Sequence, residues 1–253
     1  MKKLPKPHSM ILSAVVAGIT TLTGASLHAA TLTLNGSGQS STTIRNDATN
    51  INRNFGSDGS LIVGTTATPA VIRGALAFSL SSIPVGSTIN SITLTIRQNQ
   101  PDATSLNEDV VIHLHQLTSP FVEGNGTTAS PNSNNVTWNN RQTGTPWSAP
   151  GGDFNATPLA SITANPTAVA GTLYTFTDPA FLAAAQSAIG GDLSLIMKLE
   201  TENTADRRAF FFNADDGLTA NSPILTIDYT VPEASTGLLA LAGLGLSLRR
   251  RRR

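Results

Sequence analysis

The sequence predicts an all-β protein: an antiparallel, two-sheet, jelly-roll-like β-sandwich with one short helix. Three observations predict it. From Arg73 to Ile96, Leu76, Phe78 and Leu80 alternate with Ala75, Ala77 and Ser79. After a Pro84–Gly86 turn, Ile89, Ile92, Leu94 and Ile96 take up a period of two, the spacing of strands with one buried face. The same alternation returns at Val110–Leu114, Leu193–Leu199 and Ile224–Tyr229. Helix signals occur in only one stretch of the body, so the crossover helices that a parallel sheet requires are missing. An apolar sheet face must be covered, which calls for a second sheet.

Taken in order, Thr31–Leu34, Thr42–Ile44 and Leu61–Val63 read as short strands. Between the last two, NDATNINRNFGSDGS is rich in turn-forming Asn, Asp, Gly and Ser,. Then come the central pair at 73–96 and Val110–Leu114. From Ser119 to Thr157 the chain reads as loop, with a short strand expected at Val136–Trp138. A loop that long inside a compact domain is commonly functional. Leu159–Ile162 and Thr172–Phe176 read as strands. Asp178 is suited to cap a helix N-terminus and Pro179 to its first position, with Ala180–Ile189 helical and Gly190 and Gly191 ending it,. Leu193–Leu199, Phe210–Phe212 and Ile224–Tyr229 are the closing strands, with a turn at Leu218–Pro223.

The two ends differ from this body. Lys2, Lys3 and Lys6 precede an apolar run from Met10 to Leu22, and Ala29 or Ala30 ends a small-residue region. Residues 1–30 therefore read as a signal peptide. At the other end, Val231 to Ser235 lead into the apolar run Gly237–Leu248 and then Arg249 to Arg253. Basic residues directly after an apolar run read as a stop-transfer cluster. A 12-residue helix is short for a roughly 30 Å hydrocarbon layer,.

This tail resembles the PEP-CTERM sorting signal. Pro232 and Glu233 match its motif, Ala234 stands where a second proline is expected, and Arg249 and Arg250 open the basic end. The resemblance implies export, a transient stay in the inner membrane, and processing by an exosortase-type enzyme. It also implies an association with exopolysaccharide or biofilm, at the cell surface or in the extracellular matrix. The domains expected are thus 1–30 leader, 31–230 β-sandwich and 231–253 sorting segment.

Outside the termini the body keeps 8 basic and 15 acidic residues, a balance near −7. That argues against nucleic acid as a partner, which calls for a basic face. There is no cysteine, so neither disulfides nor thiolate metal sites support the fold.

The body resembles the DNRLRE family of secreted bacterial domains. The matching pieces are NFGSDGSLIVG (54–64), RGALAFSLSSIPVGSTINSITLTI (73–96), FVEGNGT with NVTWNNRQTGTPW (121–147), and the closing strand from Ser222 to Tyr229. The resemblance implies a jelly roll like that of carbohydrate modules. The family's acidic residue is missing from Ser41–Ile44, and Phe121 stands where its tryptophan precedes Glu123.

No G-x-S-x-G elbow, H-E-x-x-H or nucleotide-binding glycine motif is present,, and no carboxylate pair sits in a glycosidase-like motif. The chain is therefore read as non-catalytic. Trp138, Trp147, Asn139, Asn140 and Asp153 form a candidate carbohydrate site, because rings stack on sugar faces and amides bond hydroxyls. The competing reading makes Trp138 a core plug and Trp147 a packed loop anchor. Asp47, Asn50, Asn52 and Asp58 are a candidate calcium cluster, since calcium takes flexible oxygen ligands; the competing reading is self-satisfied turns. His113 and His115 share one side of a strand, as a metal pair or as an outer polar face. Arg73, Arg207 and Arg208 are candidates for structural ion pairs.

Overall fold

The computed structural model describes residues 27–36, 39–68, 70–202, 204 and 206–232. They form one compact unit, Leu27–Pro232, which extends past the expected 31–230 limits at both ends. In chain order the strands are β1 (Leu27–Leu34), β2 (Gln39–Arg45), β3 (Ser60–Thr65), β4 (Val71–Ser79), β5 (Thr88–Gln100) and β6 (Val110–Gln116). There follow β7 (Asn140–Gln142), β8 (Thr145–Pro146), β9 (Ala160–Ala164), β10 (Leu173–Phe176), helix α1 (Pro179–Ser187), β11 (Asp192–Leu199), β12 (Arg207–Phe212) and β13 (Ile224–Pro232).

Every strand pairing is antiparallel. One sheet runs β1–β13–β5, with β10 also on β5. The other runs β12–β3–β4–β11–β6–β9, with β2 also on β4. The first sheet is curled and open, and β5 touches both: its far end pairs with β12 at Gln98↔Phe211 and Gln100↔Phe210. The strands β7 and β8 form a separate small hairpin.

The central stretch at 73–96 is divided between the sheets. β4 pairs with β2, β3 and β11, whereas β5 pairs with β10, β12 and β13. The Pro84–Gly86 turn therefore carries the chain from one layer to the other. Leu76 and Phe78 of β4 and Ile92, Leu94 and Ile96 of β5 meet in one buried cluster with Phe176, Phe181, Leu195, Phe211 and Ile227. Each fully buried Phe, Leu or Ile contributes about 1.5–3 kcal/mol, so the period-two residues supply the bulk of the stabilisation.

Asp178 accepts a hydrogen bond from the Ala180 N–H at 2.7 Å, and Pro179 opens the helix. The buried side chains Phe181, Ala184 and Ala185 close one end of the core. The helix ends at Ser187, before Gly190 takes a φ of 83°. The expected strand at Val136–Trp138 is a turn. The Thr137 hydroxyl accepts from the Asn139 and Asn140 N–H groups at 3.2 and 3.0 Å, which bends the backbone back on itself.

Among the described residues no helix is long and apolar enough to cross a membrane. This corrects the expected localisation: the described chain supplies no helix for an inner-membrane stage. The Gly237–Leu248 run, Glu233, Arg249, Arg250 and residues 1–26 lie outside the described residues. Pro232, placed in the sorting signal by sequence, is the last residue of β13 and pairs with Leu27.

Candidate functional site

Strand alternation sends Ile44 of β2, Arg73 and Ala77 of β4, Ser194, Ile196 and Lys198 of β11, and His113 and His115 of β6 to the outer face of the second sheet. The 117–157 segment lies on this face. It brings Leu117, Val136, Trp138 and Trp147 down onto Ile44 and Ile196 as a second buried cluster. This part of the sheet is thus covered on both sides.

Arg73 anchors the cover. Its guanidinium donates two 2.8 Å hydrogen bonds to the two oxygens of Glu202 and one of 2.8 Å to the Gly151 carbonyl. It also lies 4.9 Å from the centre of the Trp138 ring and 5.2 Å from that of Phe154, within cation–π range. Lys198 adds a second cation 3.7 Å from Glu202. Gly151 has a φ of 94°, and a Cβ there would lie 2.6 Å from Trp138. Only glycine lets the backbone come that close to both the ring and the guanidinium.

A second anchor is Asn54, which is fully buried. Its Nδ2 donates to the carbonyls of Glu123 and, at 2.8 Å, Val136. Its Oδ1 accepts from the N–H groups of Gly56 at 3.1 Å and Gly126 at 2.8 Å. One amide therefore uses its complete bonding capacity to join the turn after β2 to the long loop. Beside it, the Glu123 carboxylate accepts from the Ser41 N–H of β2. Burial pushes Glu123 up to about 7, with Asp215 adding to the rise and the Ser41 bond opposing it.

The structure disposes of the candidate carbohydrate residues differently from the expectation. Trp138 and Trp147 are 8% and 4% exposed, and neither offers an open ring face for stacking. The Trp147 indole N–H donates to the Thr137 carbonyl at 3.1 Å. Asn140 belongs to the Thr137 turn. Asn139 donates to the side chain of Asn52, at 2.7 Å, so a residue of the sugar set and one of the calcium set satisfy each other. Burial raises the Asp153 carboxyl, but hydrogen bonds from the Ser148 and Ala149 N–H groups outweigh it and hold the group below its ordinary value.

The candidate calcium residues likewise do not converge. Asp47 accepts from Arg45 at 3.0 Å and from Asn50 at 2.6 Å. Asp58 accepts from the N–H and hydroxyl of Thr128 at 2.9 and 2.7 Å. These are turn and loop contacts, with the oxygens turned to protein donors. Among the described residues no group of three or more His, Cys, Asp or Glu could hold a metal ion. His113 sits 3.6 Å from Glu200. The His115 Nδ1–H donates to the Asn155 carbonyl, 2.8 Å away, and the ring is buried against Phe154; burial holds its pKa below 6.5, the Asn155 bond opposes this, and the charges of Lys198, His113 and Arg73 add to the lowering. All three candidate arginines make ion pairs: Arg73 with Glu202, Arg207 with Glu108 and Arg208 with Asp102.

No protein-family model matches this chain, and no curated protein matches it.

An open feature lies on the same face. A groove of about 270 Å³ runs beside the tryptophan cluster, where β2, β4 and β11 meet the loop at Pro120 and Phe121. Ala77 lies between Ser40 of β2 and Ser194 of β11, and Ser79 pairs with Asp192. Phe121 is half-buried and packs against the tryptophan cluster. Sequence reasoning singled out Phe121 only as a replaced tryptophan and passed over Asp192, Ser79 and Ser194. Their signal is cross-strand register, which one strand read alone does not reveal.

Proposed function

We propose that this chain is a non-catalytic, exopolysaccharide-associated structural module. The observation that carries the reading is the commitment of the long loop to internal partners. Its two tryptophans, Asp153 and Asn139 are occupied by packing and hydrogen bonds, and the Asn140 backbone is held in the Thr137 turn. Such a loop stiffens a scaffold and leaves no flexible lid over a reacting centre. The resemblance to DNRLRE domains supports a jelly-roll-like arrangement of the two sheets and an association with polysaccharide. A second reading, a module with specific sugar affinity, is favoured by the groove at Phe121.

The test uses the full chain and purified exopolysaccharide. The chain is expected to co-sediment with the polymer and to release no reducing ends above the blank. Reducing ends that grow with protein and time would overturn the non-catalytic reading, and absence of the chain from the pellet would overturn the association.

A further inference from the structure

We propose that the groove between Phe121 and the β4–β11 edge is a subsite for one neutral sugar ring of a polysaccharide. The inference rests on the polysaccharide reading above and places the contact away from the tryptophans.

Three features converge. First, the floor is Ala77, whose short side chain leaves a depression between the flanking strands. Register sets Ser40 and Ser194 on either side of it and the Ser79–Asp192 pair one rung beyond. Adjacent strands lie about 4.7–4.9 Å apart, so three hydroxyls and a carboxylate surround a space one ring wide. Second, the wall is the half-buried Phe121, held from behind by the tryptophan cluster. A sugar ring has an apolar C–H face and a polar rim, and this groove presents an apolar ring beside polar groups. Third, Asp192 is exposed and, among the described residues, makes no ion pair. Asp47, Asp58, Asp102, Asp153, Asp216 and Asp228 accept side-chain or backbone hydrogen bonds; Asp192 has an open carboxylate, as do Asp109, Asp206 and Asp215, and of these four it alone lines the groove. The Asp192 oxygens remain open to accept two sugar hydroxyls.

Size and charge narrow the class. At about 270 Å³ the groove lies below the roughly 300–1,000 Å³ of clefts for larger ligands, so it takes a single ring of a passing chain. No Lys or Arg lines it, and the Asp192 charge repels a uronate. A neutral hexose polymer is the fitting partner.

Native affinity electrophoresis of the full chain tests this, with gels containing a soluble neutral β-glucan, a galactomannan or alginate. At least one neutral polymer is expected to retard the chain, and alginate is not. Asp192→Ala should weaken the apparent affinity about tenfold with an unchanged circular dichroism spectrum. Asp228→Ala, an equal charge change on the outer face of the other sheet, should leave it intact. The subsite is overturned if Asp192→Ala binds like the wild type, or if alginate alone retards the chain. Either result in a chain that still co-sediments with exopolysaccharide overturns the subsite and leaves the broader function standing; loss of co-sedimentation overturns the function itself.

Discussion

Glu123 shows how one side chain's surroundings set a measurable property. Burial raises its carboxyl to about 7, Asp215 reinforces the rise, and the Ser41 N–H opposes it. The native state therefore keeps a proton that the unfolded chain loses near 4.5. Where the native state binds more protons, stability falls as pH rises. The contribution is present in full below 4.5 and is lost as pH climbs through about 7. Glu123→Gln keeps an oxygen for Ser41 and removes the titration. The difference between its urea midpoint and the wild type's should grow from pH 5 to pH 8, with the variant the more stable of the two at pH 8,. Equal pH dependence in the two proteins would remove Glu123 from the account. His115 acts with the opposite sign, because burial first, then Lys198, His113 and Arg73, lower its pKa. Its contribution is lost as pH falls below 6.5, and it persists in the Glu123→Gln variant.

At the scale of elements, the strands were legible and the long loop was not. Alternation identifies the strands because one buried face forces a period of two; Leu193, Leu195, Met197 and Leu199 are all buried, as their spacing requires. The helix was legible from Asp178 and Pro179, whose chemistry is local. Val136–Trp138 misled because its apolar content suits a strand, while the Thr137 hydroxyl, through contacts two and three residues on, makes a turn. The partners of Asn54 lie as many as 82 residues away in sequence, so no local pattern reveals them. Asn54→Ala would strand two buried N–H groups and two carbonyls, and unpaired buried groups cost about 1–3 kcal/mol each. Some will find water once the loop loosens, so a loss of about 3 kcal/mol or more is expected by urea unfolding. Asn52→Ala, at an exposed residue, should cost less than about 1 kcal/mol. Equal losses in the two variants would contradict the role assigned to Asn54.

For the whole molecule, the sequence revealed layered β architecture but not which strands share a sheet. Residues of β4 and β5 read as neighbours in sequence and prove to face each other across the core. Strand pairing depends on register between distant segments, and alternation within a strand carries no record of its partner. The candidate site was legible in part: sequence pointed to the 119–157 loop, but composition does not distinguish a ring that stacks on sugar from one that plugs a core. Burial decides that. The central claim is that this loop is a packed cover, and the chain's two tryptophans report on it directly. The decisive measurement is acrylamide quenching of tryptophan fluorescence, with and without the polysaccharide. The account predicts blue-shifted emission and weak quenching that the polymer does not change. Red-shifted, readily quenched emission that the polymer protects would contradict it, and would place the sugar on Trp138 or Trp147 instead.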